Sequence, residues 1–106
     1  MISAKLTNET RREVYRRDHW RCALCDDPRR IQIHHLYPRS RGGCDHPMNL
    51  ITLCSRCHAA IHGFPLPETR EYFAGESDAE IQEWAWQGAH EYLADYYAPD
   101  WYPWEG

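Results

Sequence analysis

Four cysteines and four histidines in this 106-residue chain have the spacings of metal ligands. The cysteines form two CxxC pairs, Cys22 with Cys25 and Cys54 with Cys57. A turn can present both thiolates of such a pair to one zinc ion, and two pairs fill the four positions of its tetrahedral sphere. The cysteines therefore predict a structural zinc site that leaves no position open for a substrate.

A domain of this length has a marginal hydrophobic core and needs a further source of stability. Disulfides are the alternative to zinc. The chain opens MISAKLTNETRR, without the apolar run of a signal peptide, and no later stretch is long enough to cross a bilayer. We therefore expect a cytoplasmic protein with no membrane partner, where paired cysteines are typical of metal binding. The fifth cysteine, Cys44, is then a free thiol in a loop.

The histidines need a separate explanation, because a zinc ion with four thiolates has no position left for them. His34 and His35 are adjacent, so in an extended strand their side chains point to opposite faces. His58 and His62 share one face if they lie on a helix. Each histidine alone is more often an ordinary polar residue. Together, three neutral imidazoles can bind a divalent metal, and the fourth is free to act as a general base.

The elements that must position these side chains follow from the same stretch of sequence. Residues 7–18 begin with good N-cap residues and predict a basic surface helix. IQIHHL and LITL predict two short strands, separated by the loop YPRSRGGCDHPMN with its prolines and paired glycines. The second CxxC pair leads into a helix through His62, which Gly63 and Pro65 end.

Beyond this region the sequence predicts a linker, FPLPE, and one long amphipathic helix. Ser77 and Glu80 have the spacing of a capping box at the start of that helix. The closing PDWYPWEG is aromatic but too rich in proline for regular structure. The apolar positions predicted to line one face of the helix are Ile81, Trp84, Ala85, Gly88, Tyr92 and Tyr96.

The charges divide the chain into two parts of opposite sign. Residues 1–63 hold eleven basic against six acidic residues, a net charge of +5, whereas residues 64–106 hold one against ten, a net charge of −9. The first part can meet phosphates and the second repels them. The alternative for each basic residue is a solvated surface position without a ligand. The residues predicted to contact a nucleic-acid backbone are Arg12, Arg16 and Arg17 in the first helix and Arg39 and Arg41 in the loop.

HHLYPRSRGG, the asparagine at position 49 and CSRCHAAIH together resemble the HNH endonucleases, or ββα-metal nucleases, in the subgroup with two CxxC pairs. The resemblance covers residues 15–62. It implies a small, zinc-stabilised α+β fold: a ββα-metal core with a basic N-terminal helix and an acidic amphipathic C-terminal helix. We expect residues 1–63 to form the nuclease core, and residues 64–106 to form a helical extension packed on or appended to it.

The resemblance also implies a role for each residue of the motif. The first residue of the adjacent pair binds the catalytic metal, which implies His34, and the second activates water, which implies His35. The middle asparagine, Asn49, orients that base by holding the loop. The last histidines, His58 and His62, complete the metal site. Many family members have aspartate where this chain has His34, and nitrogen ligands favour zinc, nickel or manganese over magnesium.

The predicted function is metal-dependent hydrolysis of DNA phosphodiester bonds, with a structural zinc ion and one catalytic zinc, nickel, manganese or magnesium ion as cofactors. The alternative is a zinc-stabilised DNA-binding or adaptor module without catalysis, which has no need for the four histidines and Asn49 together. A third hypothesis adds a protein partner on the acidic C-terminal region. Small proteins of this kind resemble those of phages and mobile elements, which implies the cytoplasm of a bacterial host.

Overall fold

The computed structural model describes residues 6–105 and has the α+β architecture that the sequence predicts. Residues 1–5 and 106 lie outside the described part, so the expectation that no signal peptide opens the chain is not tested. The elements, in chain order, are α1 (Asn8–Arg17), β1 (Gln32–His35), β2 (Leu50–Leu53), α2 (Ser55–Ile61), α3 (Pro67–Tyr72) and α4 (Asp78–Tyr97), with short 3-10 turns at Arg39–Arg41 and Pro47–Asn49.

The two strands pair antiparallel, so that His34 lies opposite Ile51 and His35 opposite Leu50. All four residues of β2 are buried, because α1, β1 and α2 all contact this strand. An apolar run without alternation is typical of such a fully covered strand. β1 is instead partly exposed, which leaves its two histidines accessible from outside.

α1 begins after Thr7, whose hydroxyl oxygen accepts a hydrogen bond from the Thr10 amide. The chain just beyond the helix is fixed by Asp18, which is buried. The Asp18 carboxylate accepts one hydrogen bond from the Thr52 amide at 3.0 Å and another from the Tyr92 hydroxyl at 2.7 Å. Asp18 therefore joins α1 to β2 and to α4.

The hydrophobic core lies between the sheet, α2 and α4. α2 starts directly after Cys54, and His62 follows as its C-cap residue. The predicted stop is confirmed by Gly63, whose φ of 89° is a left-handed conformation that glycine adopts without strain. The largest fully buried side chains include Val14, Asn49, Leu50, Ile51, Thr52, Leu53, Ile81 and Leu93.

α4 begins with the capping box that the sequence predicts. The Ser77 hydroxyl accepts from the Glu80 amide at 3.1 Å, and the Glu80 carboxylate accepts from the Ser77 amide at 2.8 Å. These two bonds satisfy two backbone donors that the first turn leaves without helical partners. No helix among residues 6–105 combines the length and the apolar character needed to cross a membrane.

The buried face of α4 differs in part from the predicted one. Trp84 and Tyr96 are 41% and 57% exposed, so the largest aromatic residues do not form its centre. The buried residues follow one another at intervals of four, which makes a stripe inclined to the helix axis. Two of the four are alanines, and such small side chains let α2 approach closely. The buried stripe consists of Ile81, Ala85, Ala89 and Leu93.

The predicted linker FPLPE is partly helical, so that prediction is wrong. α3 starts at Pro67 within this segment, with Leu66 as its N-cap residue. Proline suits the first turn of a helix, because its missing N–H would have no helical partner there and its φ is already suitable. Two hydrogen bonds of 2.9 Å from Arg70 to Asp78 connect α3 to the start of α4.

Candidate functional site

The four cysteines of the CxxC pairs come together in one cluster. Their sulfur atoms all lie within 4.8 Å of one another, and the sulfurs of Cys25 and Cys54 are 3.5 Å apart. Zinc–sulfur bonds of about 2.3 Å in a tetrahedral complex would place the sulfurs ~3.8 Å apart. Cys25 is exposed and the other three cysteines are buried. The cluster therefore fits a closed structural zinc site.

The protonation of these thiols also suits a bound cation. The hydrogen bond with Cys57 lowers the pKa of Cys22 to about 5. The same contact, together with burial, raises the pKa of Cys57, and burial raises the pKa of Cys25 to about 11. Without a cation Cys22, Cys25 and Cys57 do not ionise together, because thiolates at this spacing repel one another. A divalent ion reverses this, since a coordinated thiol is deprotonated.

A charged pair flanks the cysteine cluster. Arg56 Nη2 donates to Asp27 Oδ2 at 2.8 Å and lies 3.9 Å from the Cys25 sulfur. The Cys22 amide donates to the Asp27 carbonyl at 2.9 Å, which closes the first knuckle. Four thiolates around one zinc ion carry a net negative charge, and the Arg56 guanidinium offsets part of it. Such outer partners orient ligands and tune a metal site.

A second cluster unites three of the four motif histidines. Ring nitrogens of His34, His58 and His62 lie within 4.8 Å of one another, and the Nε2 atoms of His58 and His62 are 3.0 Å apart. His34 extends from β1, while His58 and His62 are one helical turn apart. Two nitrogens bound to one metal ion at about 2.1 Å would be about 3.0 Å apart if the angle at the metal is about 90° and about 3.4 Å apart if it is tetrahedral. The three rings can hold one divalent cation and leave its other positions open.

Two of these rings are held in the neutral form that binds metal. Burial lowers the pKa of His34 to about 3, and repulsion from His58, His62 and His35 adds to the effect. Burial also lowers the pKa of His58, with His62 as the second cause. A neutral imidazole has the free lone pair that a metal ion requires. Both rings are therefore ready to act as ligands at neutral pH.

His35 contacts a different group from His34, as adjacent residues of a strand do. Its Nε2 atom lies 2.8 Å from Asp45 Oδ1, and its side chain is 27% exposed. A carboxylate only accepts hydrogen bonds, so Nε2 carries the proton and Nδ1 of the neutral ring has a free lone pair. Sequence reasoning missed Asp45, because it lies ten positions after His35, in a loop of irregular structure.

Asn49 is fully buried and holds the loop of residues 37–49, here called loop 37–49. Its Oδ1 accepts from the Tyr37 amide at 2.8 Å, and its Nδ2 donates to the carbonyls of Tyr37 and Cys44 at 2.9 Å each. The loop is so compact that a Cβ at Gly43 would lie 1.9 Å from the Tyr37 oxygen and 2.8 Å from Asn49 Nδ2. Glycine is therefore required at position 43.

Four of the five arginines predicted to bind phosphates are exposed. Arg12 and Arg16 lie on α1, and Arg39 and Arg41 lie in the turn near the start of loop 37–49. Arg39 Nε is also 3.6 Å from Asp45 Oδ1. These four side chains are accessible to a ligand in solution.

Arg17 is buried, and the prediction that it contacts a nucleic acid is wrong. Its side chain is only 5% exposed. It donates to both carboxylate oxygens of Asp18, to the carbonyls of Pro47 and Leu50, and to the Tyr97 hydroxyl, at 2.7 to 3.0 Å. Burial alone would lower the pKa of this guanidinium, but its hydrogen bonds and attraction to Asp18 raise it, so the group stays charged. A run of basic residues does not indicate which of them faces the sheet.

Replacing Arg17 by alanine is expected to destabilise the protein by roughly 2 kcal/mol or more, since the carboxylate of Asp18 would stay buried without its partner. Arg16→Ala is the matched control on the exposed side of α1, and should change the free energy of unfolding by less than ~0.5 kcal/mol. Urea unfolding of both variants measures the difference. Equal stabilities would contradict the buried role of Arg17.

Residues 22–64 match the family model of the HNH endonucleases. The matched segment includes both CxxC pairs, the four motif histidines and Asn49. No curated protein and no solved structure matches the chain. With the four-cysteine cluster and the two strands followed by α2, the match identifies this segment as an HNH endonuclease domain. HNH nucleases act on DNA, which makes DNA the expected class of ligand.

Proposed function

We propose that the HNH segment hydrolyses phosphodiester bonds of DNA with the help of a divalent metal ion. The observation that carries this proposal is the histidine cluster around His34 with His35 as the next residue of the same strand. A metal site and a base on one strand keep a fixed separation. Hydrolysis of a phosphodiester depends on such positioning of the reacting groups and on stabilisation of developing charge.

His35 is the general base in this proposal. Its Nε2 donates to Asp45 at 2.8 Å, so Nδ1 is the atom that takes a proton from the attacking water. The Asp45 carboxylate then stabilises the imidazolium and keeps the ring in one orientation. Asn49 holds the loop that carries Asp45. Asp45 and Asn49 are therefore positioning residues that act through His35.

His34, His58 and His62 would hold the catalytic ion. A divalent cation bound there supplies positive charge that polarises the phosphate and stabilises the departing 3′ oxygen. Three nitrogen donors favour zinc, nickel or manganese, whereas magnesium prefers oxygen ligands. The four cysteines would hold the structural zinc ion, which takes no part in the reaction because its ligand sphere is complete.

The exposed arginines would position the DNA. Arg39 and Arg41 lie in the loop that contains Asp45, and Arg12 and Arg16 add positive charge on α1. The net charge of +5 on residues 1–63 supports a surface that attracts phosphates. Contacts of this type fix the register of the duplex and carry no sequence information directly.

Residues 64–106 form an extension of the HNH core in our proposal. Ile81 and Leu93 of α4 are fully buried in the same core as Ile51 of β2, so the extension is packed on the nuclease part. Its net charge of −9 repels DNA and makes it a surface on which a basic protein partner would dock. A cytoplasmic location belongs to the same proposal, because unpaired thiols persist in a reducing compartment.

His58→Ala is expected to abolish metal-dependent nicking of supercoiled plasmid. His58 supplies one of the three nitrogens of the cluster. Its loss should weaken binding of the catalytic ion by at least roughly 10-fold. Changing a residue that only contacts a metal ligand already weakens metal binding by about this factor or more. Incubation with magnesium, manganese, cobalt, nickel or zinc, followed by gel electrophoresis, identifies the active ion, and calorimetric titration with that ion measures its affinity.

His19→Asn is the matched control for this experiment. His19 is exposed and has a φ of 61°, a left-handed conformation that asparagine tolerates. This variant should nick DNA like the wild type. If the wild type binds DNA but nicks it with none of the five ions, the zinc-stabilised DNA-binding module replaces the nuclease as the favoured function.

A further inference from the structure

Residues 99–105, here called the C-terminal segment, run along the outside of loop 37–49. The two stretches form an isolated antiparallel bridge between Gly43 and Trp104. Two backbone hydrogen bonds form this bridge, so residues 103–105 lie alongside residues 42–44. The bonds run from the Cys44 amide to the Pro103 carbonyl at 3.0 Å and from the Glu105 amide to the Gly42 carbonyl at 2.7 Å.

Two tryptophans of the C-terminal segment reinforce this contact with their side chains. Trp101 Nε1 donates to the Met48 carbonyl at 2.7 Å. The ring of Trp104 packs on Tyr37, with ring centroids 4.2 Å apart. The segment therefore contacts loop 37–49 near its start, in its middle and near its end.

These contacts fall on both sides of Asp45. Cys44 directly precedes this residue, and Met48 follows it by three positions. Asn49 already holds the loop from the inside through hydrogen bonds to Tyr37 and Cys44. The C-terminal segment holds the same loop from the outside, so the backbone on either side of Asp45 is constrained.

α4 provides a rigid support for the C-terminal segment. The ring of Trp101 meets His90 of α4 edge to face, with ring centroids 4.9 Å apart. His90 in turn stacks on Trp86 at 4.9 Å, and α4 is anchored in the core by its buried stripe. Loop 37–49 is thus connected through aromatic contacts to the most deeply packed helix of the extension.

We infer that the C-terminal segment is a positioning element of the proposed nuclease, which keeps Asp45 in hydrogen-bond contact with the His35 base. This inference rests on the proposed function. The segment lies outside residues 22–64, so the contact belongs to this chain rather than to the part matched by the family model. A catalytic base loses efficiency when its orientation drifts, because proton transfer requires close and aligned groups.

The double variant Trp101→Phe/Trp104→Ala tests the inference in the full chain. It removes the indole donor to Met48 and the ring on Tyr37. We expect kcat for plasmid nicking to fall roughly 10-fold, less than the ~10²-fold that a 1 Å misplacement costs. KM, zinc content and the melting temperature of the core should stay close to those of the wild type. Tyr102→Phe is the matched control, since Tyr102 is 54% exposed in the same segment.

Combination with Asp45→Ala separates positioning from general destabilisation. If the C-terminal segment acts through Asp45, adding the two tryptophan substitutions to Asp45→Ala should lower kcat by less than about a further 2-fold. The reason is that both changes remove the same contribution to catalysis. Fully additive losses would show that the tryptophans only stabilise the fold, and would overturn the inference.

Hydrogen exchange gives a second readout that needs no activity. The hydrogen-bonded amides of Gly42, Gly43 and Cys44 should exchange at least roughly 10-fold faster in the tryptophan variant than in Tyr102→Phe, while those of β2 stay protected. Unchanged exchange in the loop would overturn the inference.

If the wild type nicks DNA and the tryptophan variant nicks it equally fast, the inference fails and the proposed function stands. If the wild type cuts with no metal, the proposed function fails and the catalytic role of the segment falls with it.

Discussion

Replacing His35 by alanine is expected to lower the rate of plasmid nicking by roughly 10²–10⁴-fold, the range that a general base contributes. The nitrogen cluster of His34, His58 and His62 does not include His35, so the catalytic ion should still bind. The side chain is partly exposed and makes its hydrogen bond to a loop carboxylate, so the fold should survive its loss. The rate is measured under single-turnover conditions with the ion that supports nicking by the wild type.

His46→Asn is the control for this prediction. His46 neighbours Asp45, is exposed, and caps the turn at Pro47–Asn49 by accepting from the Met48 amide. Asparagine retains such a capping acceptor. The control should therefore keep both the loop and the activity, which rules out a nonspecific effect of changing a histidine near the site. A His35→Ala protein that nicks as fast as the wild type would end the catalytic interpretation.

Cys25→Ser is expected to unfold the protein or make it aggregate. Cys25 brings one of four sulfurs that lie within 4.8 Å of one another. Binding of a structural zinc ion contributes on the order of 10 kcal/mol of apparent folding free energy in small zinc domains, more than a core of this size supplies alone. Metal analysis of the wild type should find close to one tightly held zinc ion that mild chelation does not remove.

Cys44→Ser distinguishes zinc binding from the general cost of changing a buried cysteine. Cys44 is a free thiol, 7% exposed and outside the four-sulfur cluster. This control should keep its zinc and its helical circular dichroism, with a lower melting temperature at most. A soluble, helical, zinc-free Cys25→Ser protein with an unchanged melting temperature is the outcome that would refute a structural zinc site.

Residues near one another in the sequence could be placed from the sequence alone. The two CxxC spacings, the alternation of a strand and the four-residue repeat of a helix are local geometry. They are sufficient to bring together the two cysteines of each pair, and to direct His34 and His35 to different neighbours. The capping box at Ser77 and the stop at Gly63 are equally local, and both are present in the structure.

Features that depend on distant contacts could not be predicted in this way. Arg16 and Arg17 look alike in the sequence, and only the position of α1 against β2 decides that Arg17 is buried. The same holds for the buried face of α4, which α2 selects by packing against it. Asp45 and the C-terminal segment belong to irregular structure, where composition gives no indication of the partner.

The sulfur cluster and the histidine cluster share one helix, so the two sites are structurally connected. Cys57 and His58 are consecutive residues of α2, so a single backbone bond links the sulfur cluster to the histidine cluster. α2 is positioned by its packing on β2 and α4, and a zinc ion shared with the first CxxC pair would fix its start further. In the proposed nuclease, loss of the structural zinc would therefore also disturb the histidine cluster. If the proposed function is correct, oxidants that convert the thiols to disulfides would release the zinc and inactivate a site that contains no sulfur, so the activity would depend on the redox state of the cell.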